Sequence, residues 1–287
     1  MPYIKANGIN IYYEVHGEGK EWIVFIMGLG MPGFAWEEQI KYFSKEWRVL
    51  TFDNRGIGKT DKPPGPYSIK DMANDTIELV KALGIEAAHF VGISMGGMIV
   101  QEIGINYPSF VKTLTMASTY AKTDERIREH VKNASEKLGI TTLINDIQNL
   151  FSMTEKINQK ETMEKIIDFL LPLTLSKEFI QKRKKEIMNL IERMMESPPT
   201  INSFFGQVVA TQTHDALDRL HLIKSPTLVI TGTADNLVPP DCSDEIAKRI
   251  KGAKLVKIKG GSHGINFENA DEFNQHVEKF IKESTHE

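Results

Sequence analysis

The chain carries one cysteine, Cys242, among 287 residues, so no internal disulfide can form and a reducing compartment fits. No apolar run approaches the ~20 residues that a membrane-spanning helix needs. The opening "MPYIKANGIN" lacks a basic stretch followed by an apolar run, so no signal peptide is expected and a cytoplasmic location is. An excess of either charge is also missing. Lys and Arg number 35 against 38 Asp and Glu, a net charge of −3, and nothing in this balance asks for nucleic acid or an anionic membrane. Internal repeats, low-complexity tracts, metal-ligand spacings, phosphate loops and cofactor boxes are likewise not found, so neither a metal nor a cofactor is expected. What remains is ordinary globular composition, 41% hydrophobic and 25% charged, with ample length to bury a core.

Two kinds of period organise the chain. "YIKA" and "INIYYEV" flank Asn7-Gly8, a dipeptide that tolerates the positive φ angles of a tight turn, and they predict a hairpin with one exposed face. "WIVFIMG" is apolar from Trp22 to Met27, the pattern of a strand buried on both faces. "RVLTFD", "AHFVGIS", "KTLTMAS", "PTLVITG" and "KLVKIKG" read the same way. Between them lie helical patterns. Ile69, Met72, Ile77, Val80 and Leu83 recur at helical spacing, and Gly84 closes that helix. "MGGMIVQEIGINYP" reads as an amphipathic helix ending at Pro108, and Phe273, Val277, Phe280 and Ile281 share one face near the C-terminus. Strand and helix in alternation predict an α/β fold with a mostly parallel sheet covered by helices on both faces.

One region breaks the alternation. From Ser118 to Pro226 only helical patterns follow one another, among them "DERIREHVKNASEKLG", "TTLINDIQNLFS", "KETMEKIIDFLLP" and "SKEFIQKRKKEIMNLIERMMES". The expected division is a core over 1–122, a helical cap over 123–213 and the rest of the core over 214–287.

"HFVGISMGGMIVQEIG" places Ser94 where a buried strand hands over to a helix, with Gly92 and Gly96 on either side. A one-step turn of this kind strains the central residue and brings its neighbours too close for a Cβ. It lifts the hydroxyl clear of the sheet, beside the free N–H groups of the next helix. A serine hydroxyl is a poor nucleophile until a base takes its proton, so a base and an orienting acid are expected further on. "TLVITGTADNLVPP" puts Asp235 just past one buried strand, and "KLVKIKGGSHGINFEN" puts His263 just past the next. Loops at the C-terminal ends of parallel strands share one edge, where Ser94, Asp235 and His263 can meet. His263 would take the serine proton and return it to the leaving group, while Asp235 would fix the imidazole tautomer. Competing histidines are weaker candidates: His16, His89, His130, His276 and His286 lie in the hairpin, before a strand core, on polar helices or in the tail. His214 is the one rival able to line a pocket, with structural packing its expected role, and Asp124 is the runner-up acid. An oxyanion hole needs backbone N–H groups from a tight loop after a strand, and "FIMGLGMPGFAW" qualifies. The N–H groups of Leu29 and Met95 are the expected donors.

With these residues in place the chain resembles the α/β-hydrolase superfamily over nearly its whole length. The matching residues are Gly28-Leu29-Gly30, Asp53-Asn54-Arg55-Gly56-Ile57-Gly58, Gly92-Ile93-Ser94-Met95-Gly96-Gly97, Gly232-Thr233-Ala234-Asp235 and Gly261-Ser262-His263. The stretch after Asp53 is similar to the branch holding bacterial carboxylesterases, 3-oxoadipate enol-lactonases and polyketide methylesterases. The resemblance implies an eight-stranded sheet, a helical cap after the sixth strand and no cofactor. It implies a serine hydrolase that cleaves a carboxylic ester of a small, largely apolar substrate through an acyl-enzyme on Ser94. A lactonase or a carbon–carbon bond hydrolase with the same triad, or a small-molecule receptor on the same fold, are the alternatives. Many relatives have His-Gly where this chain has Met27-Gly28, so a polar contact is expected to be lost there while the Leu29 donor survives. Haloalkane dehalogenases and epoxide hydrolases place aspartate at the turn, and this chain has Ser94; dehalogenases add a tryptophan where this chain has Met95.

Specificity is expected in the cap. Met153, Met163, Met188, Met194 and Met195, with Phe151, Phe169, Phe204 and Phe205, either line a broad apolar pocket or form the cap's own core. "QKRKKE" over Gln181–Glu186 reads as a solvated helix face, because acidic residues surround it. Asp53-Asn54-Arg55-Gly56 is expected to shape a turn beside the pocket. A small-molecule ester is the expected partner, with no nucleic acid or membrane, and the protein is a monomer or a homodimer.

Overall fold

The structure, a computed structural model, describes residues 2–139 and 159–285. Eight strands form one sheet: β1 (Tyr3–Ala6), β2 (Ile9–His16), β3 (Trp22–Ile26), β4 (Arg48–Phe52), β5 (Ala88–Ile93), β6 (Val111–Ala117), β7 (Thr227–Gly232) and β8 (Lys254–Ile258). Their order is β1-β2-β4-β3-β5-β6-β7-β8. β2 pairs antiparallel with β1 and with β4, and every pair from β4 to β8 is parallel. The hairpin turns at Asn7 and Gly8, with φ of 47° and 82°, which the missing Cβ of glycine and the short side chain of asparagine permit.

Alternation of side chains across the pleat divides the core in two. Val24 and Ile26 of β3 face one layer with Phe90, Leu114 and Met116, against Met72, Ile77 and Val80 of α2 (Ile69–Ala82) and Met98, Ile99 and Ile103 of α3 (Met95–Asn106). Ile23 and Phe25 face the other, against Trp36, against Phe43 of α1 (Glu37–Phe43), and against Phe273 and Val277 of the Ala270–Thr285 helix. α2 starts at a reciprocal cap, in which Ser68 and Asp71 each accept from the other's backbone N–H, and ends before Gly84 at φ 69°.

β3 is flanked by β4 on one side and β5 on the other, so the chain leaves in one direction and returns in the other. That reversal opens a crevice beyond the C-terminal ends of β3 and β5, where Gly28-Leu29 and Ser94 follow.

Several local expectations change. β8 is an edge strand with Lys254, Leu255 and Lys257 exposed, since among the described residues no strand pairs with its outer side; it is not buried on both faces. Val15 is exposed, so the alternation of β2 holds at Ile9 and Ile11 and lapses beyond. α3 is buried from Met95 to Gly104 rather than amphipathic, since it lies between α2 and the sheet. After β6 come helices over Glu125–Leu138, Gln159–Thr174, Lys177–Lys182, Lys184–Met195 and Ile201–Thr213. The run around "QKRKKE" is thus two helices, broken at Arg183, with Lys182, Lys184 and Lys185 exposed. The Ile201–Thr213 helix has no clean apolar period, because its buried positions include Ser203, Gly206 and Gln207 while Val209 is exposed. The pattern "TTLINDIQNLFS", with Phe151 and Met153, lies outside the described residues. No described helix is long and apolar enough to cross a membrane.

Candidate active site

Ser94 sits between β5 and α3 at φ 56° and ψ −120°, a conformation that non-glycine residues rarely adopt. The neighbours explain how it is held. A Cβ on Gly92 would lie 2.2 Å from the carbonyl oxygen of Gly96, and one on Gly96 would lie 2.1 Å from that of Ile26. The Ser94 N–H donates to the Ala117 carbonyl at 2.8 Å, and its own carbonyl accepts from Thr119 Oγ1 at 2.8 Å and Gly97 N–H at 2.9 Å. The turn therefore presents the side chain at the head of α3, where first-turn N–H groups have no partner within the helix. Met95 is the first residue of that helix.

Asp235 and His263 follow β7 and β8 and are brought together. His263 Nδ1 lies 2.8 Å from Asp235 Oδ2, and both residues are buried. The other carboxylate oxygen, Oδ1, accepts from the N–H groups of Leu237 and Val238, each at 2.8 Å. Both oxygens of the acid are thus occupied, which fixes the carboxylate and, through it, the imidazole plane. Ser94 and His263 line one cavity of about 200 Å³.

Gly28 and Leu29 line the same cavity. A Cβ on Gly28 would be 3.2 Å from Ser94 Cβ, so the loop after β3 passes directly against the serine. Three side chains hold that loop. Asn54 Nδ2 donates to the Met27 carbonyl at 3.0 Å, Gln207 Oε1 accepts from Gly30 N–H at 2.9 Å, and Asp53 Oδ1 accepts from Gly33 N–H at 2.7 Å. Asn54 thereby supplies a polar support at Met27. Asp53 also accepts from Lys59 N–H at 2.8 Å; burial raises its carboxyl pKa, while these backbone donors oppose the rise. Arg55 points away, to Asp75, at 2.5 and 2.6 Å.

The rest of the cavity is largely apolar, with Thr174 and Asn266 as its further polar residues. Met163, Ile166, Met194, Met195 and Phe204 of the inserted helices roof it, and among its described lining residues no side chain is charged. Met188 is exposed, and Phe169 and Phe205 do not line the cavity.

The rival candidates lie elsewhere. Asp124 caps the Glu125–Leu138 helix, accepting from Ile127 N–H at 3.1 Å, and pairs with Arg126. His214 is buried against Gln101 and Glu102, and burial pushes its pKa down to about 4. His89 is buried in β5, also lowered to about 4 by burial. His16 and His276 pair with Glu14 and Glu272. His286 lies outside the described residues.

Contacts from the inserted helices to the strand-end loops escaped sequence reasoning. His130 Nε2 donates to the Asp235 carbonyl at 2.8 Å. Gly264 N–H donates to the Thr174 carbonyl at 2.8 Å, and Glu268 accepts from both Ser176 N–H at 2.9 Å and Ser262 Oγ at 2.7 Å. Gln207 completes the set at Gly30. No local pattern marks these residues, because their partners are remote in the chain.

Residues 21–270 match the family described as "alpha/beta hydrolase fold". The chain is 28% identical over 277 residues to the "Putative carbamate hydrolase RutD" of Caulobacter segnis, covering 95% of this chain and 96% of that one. It is 27% identical to the enol-lactonase from Burkholderia xenovorans, with a TM-score of 0.81 over 98% of this chain and 100% of that one. A thermophilic esterase from Thermogutta terrifontis, 20% identical over 99% of both chains, shares the fold with a TM-score of 0.81.

Proposed function

Since the chain belongs to the alpha/beta hydrolase fold family, we propose that it is a serine hydrolase that cleaves a carboxylic ester of a small, uncharged, largely apolar substrate. The observation that carries this reading is the pairing of His263 with Asp235 at 2.8 Å, with His263 and Ser94 on the wall of one apolar cavity.

In this reading Ser94 Oγ attacks the ester carbonyl carbon as His263 accepts the hydroxyl proton. Asp235, held on its other oxygen by two backbone donors, keeps Nδ1 protonated and stabilises the imidazolium. The carbonyl oxygen gains charge and is met by the N–H groups of Leu29 and Met95. The C–O bond to the alcohol then breaks, the alcohol takes the proton from His263, and an acyl-Ser94 remains. Water attacks that ester with His263 again as base, releasing the acid and restoring Ser94.

Substrate class follows from the cavity wall. A carboxylate or ammonium buried against the apolar wall would lose hydration without gaining an oppositely charged side chain among the described lining residues, which costs several kcal/mol. Apolar acyl or alcohol groups instead gain about 25 cal/mol per Å² of apolar surface buried. The helices of 123–213 are assigned the role of a specificity-bearing cap.

Short p-nitrophenyl esters of increasing acyl length test the proposal, beside a lactone, a carbamate ester and a β-diketone. The expected result is ester turnover, reduced at least about a thousandfold in Ser94→Ala. Equal rates for both proteins would remove Ser94 from the chemistry. Turnover confined to the lactone or the diketone would favour the alternative reactions on the same residues.

A further inference from the structure

Gln207 lies on the Ile201–Thr213 helix, far in sequence from the loop it touches. Its side chain is fully buried, and both ends of its amide are used. Oε1 accepts from Gly30 N–H at 2.9 Å, and Nε2 donates to the Arg55 carbonyl at 3.0 Å. These two bonds tie the loop after β3 to the loop after β4 through one side chain of the inserted helices. One turn before it, Phe204 packs over the same loop, its ring 3.0 Å from where a Cβ on Gly30 would sit.

The loop needs such a tie. Gly30 has φ of 73°, a conformation with little steric preference of its own in glycine. Asn54 holds the loop at Met27 and Asp53 holds it at Gly33. Between those anchors lie Leu29 and Gly30, and Gln207 takes the Gly30 N–H. The peptide plane of Leu29 and Gly30 is fixed by that bond. Without it, the Leu29 N–H, one residue earlier, is held from the Met27 and Gly33 ends and by one long turn bond, from the Met31 N–H to the Gly28 carbonyl at 3.3 Å.

Building on the serine-hydrolase reading, we propose that Gln207 is a positioning residue for the oxyanion hole, aiming the Leu29 N–H by gripping Gly30. Its contribution arises in the transition state, because the Leu29 donor meets the carbonyl oxygen fully only when that oxygen carries charge. The cap thereby supplies part of the reaction geometry in addition to the walls of the pocket.

The test compares wild type, Ser94→Ala, Gln207→Met and Gln207→Glu on one p-nitrophenyl ester, with thermal melting of each. Gln207→Met keeps side-chain length and removes both hydrogen bonds; Gln207→Glu keeps an oxygen for Gly30 and provides the check if the methionine variant does not fold. The expected result for Gln207→Met is a fall in kcat of roughly 10- to 100-fold, with KM within about twofold, since misplacing a stabilising group by an ångström costs this much. Affinity for an alkylboronic acid, which forms a tetrahedral adduct on Ser94, should fall by the same factor as kcat. Gln207→Glu should keep more activity than Gln207→Met, or, if the methionine variant does not fold, stay within about tenfold of wild-type kcat. Wild-type kcat in Gln207→Met, or a lowered melting temperature with kcat and boronate affinity unchanged, overturns the proposal while leaving the hydrolase reading intact. A wild-type protein as inactive as Ser94→Ala would instead fail the hydrolase reading itself.

Discussion

His130 Nε2 stands 2.8 Å from the backbone carbonyl oxygen of Asp235, so a helix inserted after β6 touches the loop that carries the candidate acid. The contact adds a fourth hydrogen bond to a residue whose carboxylate already accepts three, shared between its two oxygens. It constrains the loop's backbone, and through it the carboxylate.

Replacing His130 with alanine is expected to lower stability by about 1 kcal/mol, the net value of one such bond. It should lower kcat by roughly threefold to tenfold, as the Asp235 loop gains freedom. Urea denaturation and steady-state kinetics measure the two effects. Unchanged values in both would show that the carbonyl is equally well served by solvent.

The turn at Ser94 is tested by Gly92→Ala. A methyl group there meets the Gly96 carbonyl at 2.2 Å, and backbone is on the other side of the contact, so the turn itself must move. We expect a loss of about 3 kcal/mol or more and little remaining hydrolase activity. A stable, fully active Gly92→Ala protein would contradict the close packing of the turn.

Acid sensitivity is expected from His89 and His214. Both are buried in the neutral form and have pKa values lowered from 6.5 to about 4, first of all by burial. Glu102, Arg219, Asp215 and Lys70 act on His214, and Glu21, Lys112 and Thr113 surround His89. Between pH 6.5 and 4 the unfolded chain binds protons that the folded one refuses. The stability these groups contribute is therefore complete above about pH 6.5 and is lost as pH falls towards 4, at up to about 1.4 kcal/mol per pH unit for each. Denaturation midpoints measured across this range, for wild type and His214→Gln, should show a shallower slope in the variant. Identical slopes would mean that His214 titrates alike in both states.

The sequence exposed whatever depends on neighbours in the chain. β3 announces itself by an unbroken apolar run, and β5 and β7 by runs interrupted only by His89, Thr227 and Thr231, because each is covered on both faces. The Ser94 turn is visible because two glycines must flank it within five residues. Asp235 and His263 are visible because strand ends in a parallel sheet share an edge. What depends on distant neighbours was hidden. β8 shares Leu255, Val256 and Ile258 with the apolar pattern of β7 but carries Lys254 and Lys257, which stand exposed on the sheet's edge strand. Gln207 and His130 resemble ordinary polar helix residues, and their partners lie 177 and 105 positions away. Asn54 was placed beside the pocket, but its bond to the Met27 carbonyl across 27 positions was not foreseen. The helix over Ile201–Thr213 shows no apolar stripe because its buried face carries Ser203, Gly206 and Gln207, while Val209 is exposed.

The most direct test of the account is to trap the intermediate. The protein is mixed with a short p-nitrophenyl ester, quenched in acid within the first turnover and digested, and the peptide containing Ser94 is weighed. The account predicts a mass increase equal to the acyl group on that peptide in wild type and none in Ser94→Ala. Turnover of the ester with that peptide unmodified, and with Ser94→Ala equally active, would contradict it.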